Sequence, residues 1–206
     1  MSINQWDERY AADEYVYGTE PNDFLRAEYH RIPTGGTVLC LADGEGRNGV
    51  FLAMQGYKVT SVDLSSVGLA KGRTLAKATG VELSTVHADL AEYDLGECAW
   101  DGIVSVFCHV PQELRERLHG NVARALRSGG MFILEAYTPD QPGNNSGGPP
   151  AAMSDRLMTA AQLQHELSGC NVISCRELTR EIHEGTLHNG HSSVVQCLAT
   201  TPGHSS

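Results

Sequence analysis

Basic residues are scarce in this chain. Lysine and arginine number 15 against 25 aspartates and glutamates, a formal charge of −10 over 206 residues. A surface this acidic repels phosphate backbones and anionic leaflets, and no Lys/Arg run relieves it, so neither nucleic acid nor membrane is the expected partner. Long apolar runs are also missing. Stretches such as Ile103–Val106 are far too short to span a bilayer. The N-terminus, MSINQWDERYAADEY, has neither the basic nor the apolar region of a signal peptide, which points to the cytoplasm. No CxxC pair occurs. The six cysteines, at 40, 98, 108, 170, 175 and 197, are scattered and read as free buried thiols in a reducing compartment. No internal repeat is evident. What remains is ordinary globular composition, 41% hydrophobic and 19% charged, which excludes a disordered or fibrous chain. The length fits one domain over residues 1–206, working as a monomer or homodimer.

The hydrophobic period alternates between strand-like and helix-like segments. Strands are expected at Thr37–Leu41, Lys58–Val62, Leu83–His87, Gly102–Phe107 and Met131–Ala136. Helices are expected at Arg47–Gln55 (closed by Gly56), from Ser65 or Ser66 to Thr79 (closed by Gly80), and from Pro111 to near Leu126. This alternation implies a parallel sheet with right-handed crossovers. It then breaks at Thr138–Pro150, a Pro/Gly/Asn-rich stretch that reads as either a flexible connector or a mobile lid over the substrate. A short helix at Thr159–Leu167 follows. The chain ends in two strand-like runs, Val172–His188 and His191–Thr200, for which Asn189-Gly190 is the expected two-residue turn.

The first strand turns into its helix through Leu41-Ala42-Asp43-Gly44-Glu45-Gly46-Arg47-Asn48-Gly49, where glycines let a ligand approach the backbone. Asp63 ends the second strand, 17 residues after Gly46, and can accept both hydroxyls of an adenosine ribose. Asp89 ends the third, within reach of an adenine amino group. Three polar residues at adjacent strand ends line the crevice where open α/β sheets bind ligands. Gly44-x-Gly46-x-x-Gly49 also spells the dinucleotide fingerprint, weak evidence alone. Against a nicotinamide cofactor stand the short chain, the lack of a Tyr-x-x-x-Lys dyad, and the terminal hairpin. That hairpin marks the class I S-adenosylmethionine (SAM) methyltransferases.

The run VLCLADGEGRNGVFLAMQGYKVTSVDLS is similar to the pattern of small bacterial methyltransferases related to the tellurite-resistance methyltransferase. Further matches are WDERYAADEYVYGTEPNDFL, FCHVP, LRSGGMFILEAYTP and EGTLHNGHSSVVQCLA; the thiopurine methyltransferases look like more distant relatives. Ala42 and Asp43 depart from the family's Gly-Cys, and Asn189 stands where tellurite-resistance relatives have Arg. The resemblance implies a Rossmann-like three-layer sandwich with a seven-stranded, mostly parallel sheet. It implies SAM as cofactor, with S-adenosylhomocysteine (SAH) as product. Ala42, Gly44 and Gly46, with Asn48 beside them, would lie along the methionine and ribose, and Asp43 would either meet the amino group or cap the turn. Asp63 and Leu64 would take the ribose and underlie the adenine, with Asp89 and Leu90 bracketing it. Ser105 and Phe107 would flank the sulfonium, and His109 would face the substrate. Trp6 and Tyr10 would close over the cofactor in a lid segment spanning residues 1–30. Tyr15, Tyr17 and Tyr137 would border the small-molecule substrate.

Plainer readings stand beside these. Gly44 and Gly46 suit an ordinary strand–helix turn, Asp63 a helix cap, Asp89 a local turn, and Trp6 and Tyr10, four apart, helix packing. His109, which could equally be a hydrogen-bonded loop histidine, and, through the resemblance, His188 are the candidate bases for an acceptor that must lose a proton. A two-residue turn at Asn189-Gly190 would pair His188 with His191 on one face, Glu184 sharing the face of His188, and would turn His183 away, a poor metal site. A soft acceptor (a thiol, or a selenium or tellurium oxyanion-derived species) is preferred through the resemblance. Alternatives are a hydroxyl or nitrogen of a metabolite, a non-catalytic SAM-binding protein, and a nucleotide-sugar or NAD binder.

Overall fold

The computed structural model describes residues 3–141 and 146–201. Five strands run parallel: β1 (Thr37–Leu41), β2 (Lys58–Asp63), β3 (Ser84–His87), β4 (Trp100–Val106) and β5 (Leu126–Tyr137). The last two, β6 (Asn171–Glu184) and β7 (His188–Thr200), form the terminal hairpin, and β7 inserts antiparallel between β5 and β6. The order is β3-β2-β1-β4-β5-β7-β6. Successive residues of a strand face opposite ways, and both faces here are apolar. Leu39, Leu41, Ile103, Phe132, Leu134 and Val195 pack into one core. Val38, Cys40, Val104, Val106, Ile133 and Leu198 pack into another across the sheet. Helices cover each side, which makes three layers.

The helices are α1 (Ile3–Tyr10), α2 (Asp23–Glu28), α3 (Arg47–Met54), α4 (Ser66–Thr79), α5 (Gln112–Gly120), α6 (Val122–Ala125) and α7 (Ala160–Glu166). Their limits follow local chemistry. The Ser65 hydroxyl accepts from Gly68 N at the start of α4, and Gly80 closes it at φ 75°. Thr159 and Gln162 form a reciprocal capping box on α7. Among the described residues, no helix is long and apolar enough to cross a membrane.

Three boundaries differ from expectation. The helix expected from Pro111 to Leu126 breaks at Asn121, and Leu126 already pairs with Trp100 as the start of β5. Ser128-Gly129-Gly130, expected to precede the fifth strand, lies inside it as a bulge with Gly129 at φ 75°. The hairpin does not turn at Asn189-Gly190: both lie in β7, opposite His183 and Ile182, and the chain reverses through Gly185-Thr186-Leu187. Gly185 takes φ 67° and sits against the N-terminal segment; a Cβ there would lie 2.6 Å from Gly18 N and closer still to Val16 O. Thr186 N donates to Val16 O at 2.9 Å. Tertiary contact therefore selects the Gly185 turn over the Asn-Gly pair. Within 138–150, residues 142–145 lie outside the described set. The flanks are packed: Gln141 accepts from Ser193 N at 2.8 Å and donates to Ser146 Oγ at 2.9 Å.

The cysteines are free. Cys40, Cys108 and Cys197 are buried as expected; Cys98 is exposed and Cys170 and Cys175 are half-buried, which corrects that reading for these three.

Candidate active site

The C-terminal ends of β1, β2 and β4 and the loop after β3 open onto a cavity of about 500 Å³. After β1, Ala42 takes φ 48°, a left-handed conformation that favours glycine. Gly44 follows at φ 56°, and a Cβ there would lie 2.6 Å from the Tyr10 hydroxyl. The turn needs glycine because α1 closes down on it. Asp63 braces it from β2, accepting from Gly44 N and Ser65 N, each at 2.8 Å. Burial raises the Asp63 pKa against these hydrogen bonds.

Asp43 lies behind the same turn. It accepts from Ser61 Oγ at 2.5 Å and Gly49 N at 3.2 Å and is 8% exposed. Burial pushes its pKa up to about 7, helped by the neighbouring Asp63 charge. Asp89 Oδ1 accepts from Ala91 N at 2.8 Å, and the residue also lines the cavity, so it makes a local turn and faces the site. Leu64 and Leu90 complete this acidic end.

The opposite wall carries rings and cations. Phe107 leaves β4 at φ 52° and stacks on Tyr137, centroids 4.6 Å apart. His188 contacts Phe107 at 4.6 Å and Tyr17 at 4.4 Å. Arg9 covers the Trp6 ring at 4.8 Å and donates to the Tyr17 hydroxyl at 3.0 Å. Arg9 and Arg47 lie near enough to His188 to join burial in lowering its pKa, against the pull of Glu184. Arg156 borders His109 and also lines the cavity.

The two candidate histidines differ in surroundings. His109 donates from Nδ1 to Arg156 O at 3.1 Å, and its Nε2 receives Tyr137 N–H at 3.5 Å. Burial drops its pKa to about 4. His188 stands directly opposite Glu184 in the hairpin, with Nδ1 4.0 Å from Glu184 Oε2. The expected pairing of His188 with His191 is replaced: three apart on one strand, they face opposite ways. His191 binds Glu181 at 2.6 Å, and His183 binds Asn189 at 2.9 Å.

Of the residues expected at the site, Trp6, Tyr10, Tyr17, Ala42, Asp43, Gly44, Asn48, Asp63, Leu64, Asp89, Leu90, Phe107, His109 and His188 line the cavity. Four are placed elsewhere. Gly46 caps α3 where a Cβ would lie 2.8 Å from Gly72 Cα, so it serves the approach of α3 to α4. Ser105 is buried within β4 with its hydroxyl on the Cys108 thiol. Tyr15 straps the N-terminal segment to α4 through its hydroxyl and Lys71 O, 3.1 Å. Tyr137 is fully buried behind Phe107.

The sequence did not reveal a buried ionic network beside His188. Arg47 meets Glu184 at 2.6 Å, and the Asn22 amide bridges Glu184 at 2.9 Å and Glu135 at 2.8 Å. Arg180 meets Glu135 at 2.6 Å, and Gln196 donates to it at 2.5 Å. Burial works against the Glu184 charge, yet His188 and Arg47 hold its pKa down to about 2. Asn48 joins the network by accepting from Asn22 N at 2.9 Å. The only linear trace was Glu184 sharing the face of His188.

This sheet order, with carboxylates at adjacent strand ends around a glycine turn, defines the class I SAM-dependent methyltransferase fold. Residues 38–130 match the methyltransferase domain family. An uncharacterized protein of Mycobacterium tuberculosis is 30% identical over 111 residues, covering 53% of this chain and 40% of that protein. The chain thus spans about two fifths of the length of the curated relatives it matches. In structure it is similar to TehB from Haemophilus influenzae, at TM-score 0.69, 21% identity, and coverage of 97% of this chain and 66% of that one. It is also similar to the protein described in the conversion of a disulfide bond into a thioacetal group during echinomycin biosynthesis, at TM-score 0.76, 19% identity, and coverage of 99% and 94%. A TehB-like SAM-dependent methyltransferase from Corynebacterium glutamicum aligns at TM-score 0.62 and 19% identity, over 96% and 95%. Residues 38–130 thus resemble the methyltransferase domain family, and the fold of the chain resembles that of the TehB-type class I enzymes.

Proposed function

We propose that this protein transfers a methyl group from SAM to a small anionic acceptor with a soft nucleophilic atom, a thiolate or a selenium or tellurium oxyanion-derived species. The reading rests on one arrangement above all. Asp63, clamped by the Gly44 and Ser65 amides, shares a cavity with the ring wall of Phe107, Tyr17 and His188. A carboxylate at the end of β2 suits ribose hydroxyls, and the space beside Gly44 suits a flat, closely approaching cofactor. Aromatic faces attract a sulfonium cation by about 0.5–2 kcal/mol. Pockets for cofactor-sized ligands run to about 300–1,000 Å³, so SAM takes much of this one and leaves room only for a small acceptor.

SAM, when bound, supplies a methyl group that leaves its sulfonium by in-line displacement, with SAH as the other product. The chain has to align the acceptor and keep water out. Tyr10, Trp6 and Tyr17 wall the cavity from the N-terminal side, consistent with a lid drawn from residues 1–30 of a single domain. Arg9 and Arg156 add two cations to this end of the cavity beside the neutralised Arg47–Glu184 pair, which favours an anion that needs no base. His109 has both ring nitrogens engaged by backbone and orients the wall. A second reading follows from His188 and Glu184: a hydroxyl or amine acceptor would lose its proton to His188. The protein is read as cytoplasmic and as a monomer or homodimer, and its net charge of −10 disfavours nucleic-acid and anionic-membrane partners.

Calorimetric titration with SAM, SAH and NAD tests the cofactor, using wild type, Asp63→Ala and the isosteric Asp63→Asn. Micromolar SAM or SAH binding is expected, weakened about 100-fold or more in both variants, since each hydrogen bond to a charged group is worth about 1.5–3 kcal/mol. Binding of NAD instead, or SAM binding indifferent to Asp63, overturns the reading. Turnover of thiols, selenite or tellurite then tests the acceptor and excludes a non-catalytic SAM binder.

A further inference from the structure

Cys175 of β6 and Cys197 of β7 are directly opposed partners in the antiparallel ladder. Such partners have Cα atoms about 4.5–5.5 Å apart and project side chains to the same face. That separation lies inside the about 4.4–6.8 Å window of protein disulfides. Both thiols border the core under α7, where Cys175 Sγ donates to Ala160 O at 3.6 Å. Cys175 is half-buried and reaches solvent, while Cys197 is buried.

We propose that Cys175 and Cys197 form a reversible dithiol–disulfide site that takes oxidising equivalents from low-molecular-weight disulfides. Cys175, as thiolate, attacks one sulfur of the small disulfide, forming a mixed disulfide and releasing one small thiol. Cys197 then attacks the Cys175 sulfur, closing the protein disulfide and releasing the second. Two protein thiols and one small disulfide become one protein disulfide and two small thiols, so hydrogens and electrons balance. The roles follow from the environment. The Cys197 thiol hydrogen-bonds to Cys175, lowering the Cys175 pKa and raising its own, and burial raises it further. A partly exposed thiol of lowered pKa is the competent nucleophile, and its buried neighbour resolves the mixed disulfide.

The pair lies nine residues along β6 from Glu184, about 30 Å at about 3.3 Å per residue, so the cross-link fastens the hairpin far from the cavity. Oxidation is expected to raise the melting temperature by about 5–10 °C through closing the hairpin loop. SAM binding is expected to stay within about twofold.

The test is a thiol map of the folded protein equilibrated in glutathione–glutathione disulfide mixtures, quenched by acid and alkylation, and digested for mass spectrometry. A cross-link joining Cys175 and Cys197 is expected to grow with the disulfide fraction and to vanish on reduction by dithiothreitol. Exposed Cys98 is expected to carry glutathione at most. Cys197→Ala should trap glutathione on Cys175, whereas Cys175→Ser should leave Cys197 reduced. Separate alkylation of both cysteines in every mixture overturns the proposal, as does a dominant cross-link to Cys170. The wild-type map decides this even if a variant folds poorly, and it needs no methyl transfer.

Discussion

Replacing Asp43 by asparagine keeps the side chain's shape and removes only its charge. In the folded protein this carboxyl titrates at about 7, against an ordinary 3.8. Between those values the native state holds a proton that the unfolded chain has released. The contribution to stability is therefore complete below pH 3.8 and declines as pH rises, until it is gone above about pH 7. About three units at about 1.36 kcal/mol each set a ceiling near 4 kcal/mol. The asparagine oxygen can still accept from Ser61 and Gly49, so the variant keeps the hydrogen bonds without the buried charge. The stability gap in favour of Asp43→Asn should open from near zero at pH 4 to about 2–4 kcal/mol at pH 8. His109 tilts the profile the other way. Its pKa falls from 6.5 to about 4, so it adds stability as pH rises through that interval. That slope is common to both proteins and cancels in the difference. Urea unfolding followed by circular dichroism from pH 4.5 to 8 gives the comparison. A gap independent of pH, or a variant less stable than wild type at pH 8, would refute the reasoning. A charge kept at such a cost should serve a ligand, so the same variant is expected to lose at least about tenfold in SAM affinity.

Other consequences can be checked alongside. Glu184→Gln strands Arg47 as a buried, unpaired cation and should cost about 3–5 kcal/mol in chemical denaturation; Arg47→Met in the same chain should recover part of the loss. Gly185→Ala, which meets the Val16–Gly18 backbone at a positive φ, should lower stability by about 2 kcal/mol or more and expose the 11–22 segment to limited proteolysis. His188→Asn separates the two acceptor readings: rates with a thiolate acceptor at pH 8 should change by less than about threefold, whereas a hydroxyl or amine acceptor should lose about 10²–10⁴-fold.

Much of the layout follows from short-range pattern. Strand β1 and helix α4 begin and end where apolar period, the Ser65 cap and Gly80 put them. Asp63 ends β2, and Asp89, expected to end the third strand, lies two residues past β3 in the loop, because the βα period fixes where each strand stops. The hairpin turn did not follow local propensity. Asn189-Gly190 is the stronger turn pair by itself, yet Gly185 alone fits against Val16 and Gly18, a partner remote in sequence. That shift of register brings Glu184 opposite His188 and sends His191 to the other face.

The amino-acid sequence by itself determined the alternating strands and helices, the glycine turn after β1, and the carboxylates that follow it. Each is written in residues within about one helical turn or one strand of each other. The tertiary structure alone decided which histidine keeps a free face, and it joined Asn22, Arg47, Glu135, Arg180 and Glu184 in one buried network. These residues come from four separate segments: the cap of α2, α3, β5 and β6. No local period encodes such a meeting, and the cost of leaving any one of those charges buried without the others makes it a property of the whole fold.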